Sequence, residues 1–242
     1  MPEAEAFDPS VATWHWYSLD QALAATLLSR RRGELEQNRV APSDNDKRSG
    51  LTWSSSQQAE HRSYAMASIL ATVAFLEASL NELLASASKD HLPVGGGQGT
   101  LSVDERNALT GLMKALDERS IALLARIQLV LHLLRRQPFG EGGKEYQDAR
   151  LVVQLRNELV HYGPGWGTGP WAKERKLATE LAQRKFQANP FSAEGHPFFP
   201  DRCLGHGCTT WAWNTVVTFT DGFFNQLGVT PIYIDKRAQL LP

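Results

Sequence analysis

Apolar residues recur along this chain with the spacing of helices and almost nowhere with the alternation of strands. The clearest run covers residues 54–88, where Ile69, Val73, Leu76, Leu80 and Leu84 share one face. Ala65, Ala67, Ala71, Ala74 and Ala78 cover much of the remaining surface, so this helix belongs at the centre of the fold. Residues 14–37 read as a helix with Leu19, Leu23, Leu27 and Leu28 near one face. Ser102-Val103-Asp104-Glu105 has the form of a capping box. Leu112, Leu116, Leu123, Ile127, Val130 and Leu134 carry the pattern on to about residue 136, with a break near Asp117. A further helix starts near Lys144, with Leu151, Leu155 and Leu159 as its core-facing ridge, and Gly163-Pro164 stops it. Residues 171–187 look helical but mostly polar. The last helix starts near Thr210, carries Ala212, Val216, Phe219, Phe223 and Leu227, and is closed by Gly228.

Residues 1–13 read as a loose arm, 40–50, 91–100, 163–170 and 188–208 as breaker-rich irregular segments, and 230–234 as a short extended tail. The expectation is an all-α bundle of five or six helices around one core containing Leu76, Leu80, Leu155, Leu159, Val216 and Phe219. No internal repeat is visible.

Composition narrows the setting. The 242 residues carry a net charge of -1, so no global basic field announces a nucleic-acid partner, and any polyanion site must be local. The two cysteines, Cys203 and Cys208, make no disulfide framework and suit a reducing compartment. The N-terminus lacks a signal pattern, and polar residues interrupt the longest apolar run. The expectation is a soluble, cytoplasmic protein without a membrane partner.

Candidate chemistry concentrates in Arg156-Asn157-Glu158-Leu159-Val160-His161. A guanidinium can neutralise a phosphorane, and an imidazole can move protons near neutral pH. On the helix, Arg150, Gln154, Asn157 and His161 form one polar stripe, whereas Arg156 falls between Val152 and Val160. Arg156 and His161 lie roughly 140° apart around the axis, so one ideal helix does not converge them; a fraying helix end or a second protomer could. If buried, Arg156 needs a partner, and Glu77 of the central helix, sharing a face with Asn81, is the obvious one. The plain alternatives are a helix-end histidine opposing the macrodipole, a solvated arginine, and Glu77 on a solvated edge.

Other signals are weaker. His196, Cys203, His206 and Cys208 include enough ligands for zinc, but their spacing is not that of a standard finger. The glycine-rich segments 95–99 and 163–169 lack the lysine and strand of a phosphate loop. Arg30-Arg31-Arg32 and Arg135-Arg136 read as solvated helix ends that could also hold an RNA backbone. Most of the seven tryptophans read as core or interface, with one or two available to stack bases.

The Arg156, Asn157 and His161 trio resembles the signature of the HEPN superfamily: arginine, a polar residue, three further residues and a histidine. The wider arrangement is similar too, with FLEASLNELL on a central helix, then QLRNELVHYG, then a final amphipathic helix, over roughly residues 60–227. The resemblance implies a HEPN-like bundle over residues 51–228 with a polar insertion at 170–208. It is preceded by an arm, helix and loop over 1–50 and followed by a tail over 229–242. It implies a homodimer in which motif helices meet. It also implies a metal-independent, cofactor-free endoribonuclease, often a toxin or defence factor with an antitoxin partner, leaving 2′,3′-cyclic phosphate ends. His161 would be the acid/base, Arg156 the phosphate binder and Asn157 the orienting group, with Glu77 and Asn81 as supporting polar residues. The competing reading is a non-catalytic module that binds a protein or nucleotide through the same surface; an accidental motif on a structural bundle is the third.

Overall fold

The computed structural model describes residues 15–38, 54–88, 101–117, 121–161, 171–192 and 196–242. The arm at 1–13, the segments 40–50, 91–100 and 163–170, and the Gly163-Pro164 stop lie outside those residues. Among the described residues there are seven α-helices and no strand. They are α1 (Tyr17–Gln37), α2 (Ser55–Ala87), α3 (Val103–Asp117), α4 (Leu123–Leu133), α5 (Lys144–Val160), α6 (Trp171–Ala182) and α7 (His206–Leu227). The fold is all-α, and the apolar run from 102 to 136 divides into α3 and α4.

The helix starts follow local chemistry in several places. Ser54 caps α2 in a capping box: its hydroxyl accepts from the Gln57 N–H at 3.2 Å, and Gln57 Oε1 accepts from the Ser54 N–H at 3.2 Å. Ser102 and Glu105 do the same for α3, at 3.2 and 2.8 Å. The α1 start has no capping side chain of its own, so Glu82 of α2 supplies one, accepting from the Ser18 N–H at 2.8 Å. Burial pushes the Glu82 carboxyl above its ordinary range.

α1 and α2 run antiparallel. Ser18 meets Glu82 at one end, the Ser68 hydroxyl donates to the Ala25 carbonyl at 2.8 Å midway, and Arg32 donates to the His61 carbonyl at the other end. The face that α1 buries is not the leucine face. Leu23 and Leu27 are exposed, and Ala22, Ala25, Ser29 and Gly33 are buried instead. Small side chains let the backbones approach closely. At Gly33 a Cβ would sit 3.0 Å from the His206 ring.

Two apolar clusters replace the single core expected. The larger contains Leu76, Leu80, Val216 and Phe219, with Phe75 packed on Trp213 at 5.1 Å between ring centres. The smaller contains Ala65, Ile69, Leu151, Leu155, Leu177 and Leu181, with Leu159 partly buried against it. α5 divides its residues between them, sending Ala149 and Val152 to the first and Leu151 and Leu155 to the second. α6 is held to α5 by Arg150–Glu180 at 3.2 Å, and the following turn by Arg184–Asp148 at 2.5 Å.

α7 begins at His206, four residues before Thr210, and Gly228 ends it with φ 70°. The tail after it is a 3-10 turn, Ile234–Gln239, not an extended segment. It is fastened to α7: Tyr233 donates to Asp221 at 2.8 Å, and the Trp213 indole N–H donates to the Leu240 carbonyl at 2.8 Å. Among the described helices α2 alone is long and apolar enough to cross a membrane. It packs instead against α1, α3, α5 and α7 as the central helix of the fold.

Candidate functional site

The structure places the motif at the solvent-facing end of α5. Leu155 anchors the helix in the smaller cluster, and the chain then emerges: Asn157, Val160 and His161 are exposed and Arg156 is half-buried. His161 is the C-cap, with φ -109° and ψ 28°, and its N–H donates to the Asn157 carbonyl at 2.8 Å. His161 therefore stands at the carbonyl end of the last helical turn.

Arg156 and Glu77 do meet. Nη2 of Arg156 lies 3.9 Å from Glu77 Oε2, with the side chains 26% and 45% exposed. This is a loose, hydrated ion pair outside hydrogen-bonding distance, and Glu77 sits on a half-solvated edge of α2 rather than in its buried face. Asn81 does not join the motif. Its Oδ1 accepts from Arg126 Nη2 of α4 at 2.6 Å. The trio and Glu77 can thus present a tethered guanidinium, an amide and an imidazole to a ligand arriving from solvent.

A second polar centre was not anticipated from the sequence. Arg32, read as part of a solvated basic triplet, is completely buried. Its Nε donates to Glu36 Oε1 at 3.1 Å, and its terminal nitrogens donate to the carbonyls of His61 and Leu204. Burial pulls the Arg32 guanidinium down to about 10, with Glu36 opposing the shift, so it stays charged at neutral pH. Glu36 Oε1 also takes the His206 backbone N–H at 2.9 Å, capping α7, whose own N-cap is Gly205.

His61 completes this centre. Its Nε2 lies 3.0 Å from Glu36 Oε1 and its Nδ1 3.3 Å from Arg32 Nη2. Arginine can only donate, so Nδ1 accepts and the proton rests on Nε2, facing the carboxylate. Burial and the neighbouring guanidinium hold His61 below its ordinary value and outweigh the pull of Glu36. Burial alone would raise Glu36, but the hydrogen bonds from His61 and His206 and the charge of Arg32 carry its carboxyl below the usual range.

The four zinc candidates are not brought together. Among the described residues no group of three His, Cys, Asp or Glu side chains could hold a metal ion. His206 Nδ1 donates to the Ser29 carbonyl at 2.9 Å, whereas His196 Nδ1 lies 3.4 Å from the Ser192 hydroxyl. Cys203 and Cys208 are buried free thiols, and burial pushes Cys203 well up, which makes it unreactive. The glycines between them have a packing role: a Cβ on Gly207 would collide with the Gln187 carbonyl oxygen, and one on Gly205 would lie 2.9 Å from Asn189 Cα. Of the Arg135-Arg136 pair, Arg136 is committed to Glu105 at 2.9 Å. Comparison with protein-family models, curated proteins and solved structures returned no match.

Proposed function

We propose that this protein is a metal-independent endoribonuclease of HEPN type, acting as a homodimer in the cytoplasm. The observation that carries this reading is the placement of Arg156, Asn157 and His161 at the solvent-facing end of a core-anchored helix, with Glu77 loosely tethering the half-buried guanidinium. A half-buried arginine in a loose, hydrated ion pair exchanges a carboxylate for a phosphate at little cost.

The RNA 2′-hydroxyl attacks its own phosphodiester. Its proton passes to a base, the 5′-oxygen leaves with a proton from an acid, and the products are a 2′,3′-cyclic phosphate and a 5′-hydroxyl. His161 moves the protons, Arg156 neutralises the phosphorane and Asn157 orients it. Asn157, Val160 and His161 stand open to solvent, so a second copy of α5 would enclose the site and supply a second imidazole. An antitoxin would act by covering this end of α5.

Two observations favour the alternative, a non-catalytic module that binds a protein or nucleotide through the same surface. The net charge is -1, and Arg156 already has an acidic neighbour. Incubation with total RNA in EDTA, beside His161→Ala, separates the two. Cleavage by the parent protein alone supports the enzyme. Binding without cleavage supports the module, and cleavage abolished by EDTA sinks the metal-independent mechanism.

A further inference from the structure

A cavity of about 570 Å³ opens between the first turns of α2, the end of α5 and the segment leading into α7. That volume lies within the range of small-molecule sites, ~300–1,000 Å³. Its walls are apolar and partly aromatic: Met66, Leu159, Phe191, Phe199 and Leu204 line it. The Phe191 ring meets the His61 ring edge-on, with centres 5.6 Å apart and planes at 83°. Of the polar lining, Gln58, Arg62 and His196 stand at the exposed mouth, and Asn189, Ser192 and Asp201 line the cavity further in, half-buried. Arg62 is 68% exposed and only 4.0 Å from Asp201 Oδ1, so its guanidinium is weakly held and ready to exchange partners.

An apolar slot with an aromatic wall, and a mouth that offers an amide, a guanidinium and an imidazole, suits a flat heteroaromatic ring with a hydrogen-bonding edge and an anionic substituent. A purely apolar ligand would leave the mouth unused, and a bare anion would leave the slot unused. His61 contributes shape rather than proton transfer here, since both its ring nitrogens face Glu36 and Arg32. Position adds the remaining constraint. Leu159, a cavity wall, precedes His161 by two residues, so their Cα atoms lie within ~7 Å of each other.

We propose that this cavity is a nucleobase-binding subsite, which takes the base of one nucleotide of a single-stranded RNA whose backbone passes the Arg156–His161 end of α5. The assignment rests on the RNA reading for the identity of the strand, but not for the binding of the base. Single-stranded RNA is read in this way, by unstacked bases placed against aromatic side chains with their edges hydrogen-bonded.

The test is calorimetric titration of the four nucleoside 5′-monophosphates into the whole protein and into Met66→Trp, which fills the slot, and Arg62→Glu, which reverses the charge at the mouth. Both positions are exposed, Met66 at 37%, and thermal melts check each variant's fold. At least one monophosphate should bind the parent protein, and each variant should weaken it by about tenfold or more. No binding by the parent protein, or binding untouched by Met66→Trp in a folded variant, overturns the assignment. If Met66→Trp fails to fold, undiminished binding by Arg62→Glu overturns it. Monophosphate binding with no RNA cleavage leaves the subsite standing and removes the ribonuclease reading, so the two fail separately.

Discussion

Arginine and glutamate meet in two very different places in this protein. Arg32 and Glu36 lie 3.1 Å apart with side chains 0% and 9% exposed. Arg156 and Glu77 lie 3.9 Å apart, a quarter and nearly half exposed. The first pair has lost its water and is stable only because His61, His206 and two carbonyls complete it. The second keeps its water and contributes ~0–1 kcal/mol. Burial rather than residue type therefore divides the work: one pair ties helices together and the other is free to change partners.

The comparison can be broken most easily at Arg32. Arg32→Ala strands the Glu36 carboxylate and two carbonyls inside the fold and should cost ~3–5 kcal/mol in urea unfolding. The double variant Arg32→Ala/Glu36→Ala should cost clearly less than the sum of its singles, as groups in one network do. Additive costs would mean that the pair is not a unit.

Acid is the next probe. His61 is held below its ordinary 6.5 in the folded state, so the unfolded chain takes up its proton first and stability falls as pH drops through 6.5. Glu36 is held below 4.5, and its contribution is lost as pH falls from about that value through its lower folded one. Glu82 is raised and works in the opposite sense, so protonating it relieves part of the loss. Melting temperature should therefore decline from pH 7 to pH 4. A flat profile would contradict the buried centre.

The exposed pair should respond weakly. Glu77→Gln and Arg156→Gln are each expected to change stability by no more than ~1 kcal/mol, because either partner left alone is hydrated. His161→Ala should change it least, by under ~0.5 kcal/mol. On RNA, however, it should reduce cleavage by ~10²–10⁴-fold in an EDTA assay. Loss of fold in His161→Ala would move that residue from the chemistry to the scaffold.

What could be read from the sequence follows the same division. Periodicity located α2, the break between α3 and α4, the end of α5 and the Gly228 stop, because local rules govern those features. The motif's place at a helix end was also legible. The buried face of α1 was misread because Leu23 and Leu27 face solvent while its small residues face the core. The signal was there, since Ala22, Ala25, Ser29 and Gly33 recur at helical spacing, as close packing of two helices requires. Arg32 was hidden by Arg30 and Arg31 immediately before it, and its pairing with Glu36 at i+4 was the clue. The capping of α1 by Glu82 and of α7 by Glu36 joins residues 64 and 170 positions apart, which no local pattern records.

Those separations also bear on how the chain reaches its native state. Glu36 waits for His206, and Ser29 meets Thr209 across 180 positions. A network closed over such spans raises the contact order of an otherwise local, helical protein, and the loop entropy must be overcome before the contacts form. The α1–α2 hairpin can assemble early. Its charged residues stay hydrated until the segment before α7 docks on them. Docking then belongs on the native side of the rate-limiting barrier, and Glu36→Gln should speed unfolding while leaving the folding rate nearly unchanged.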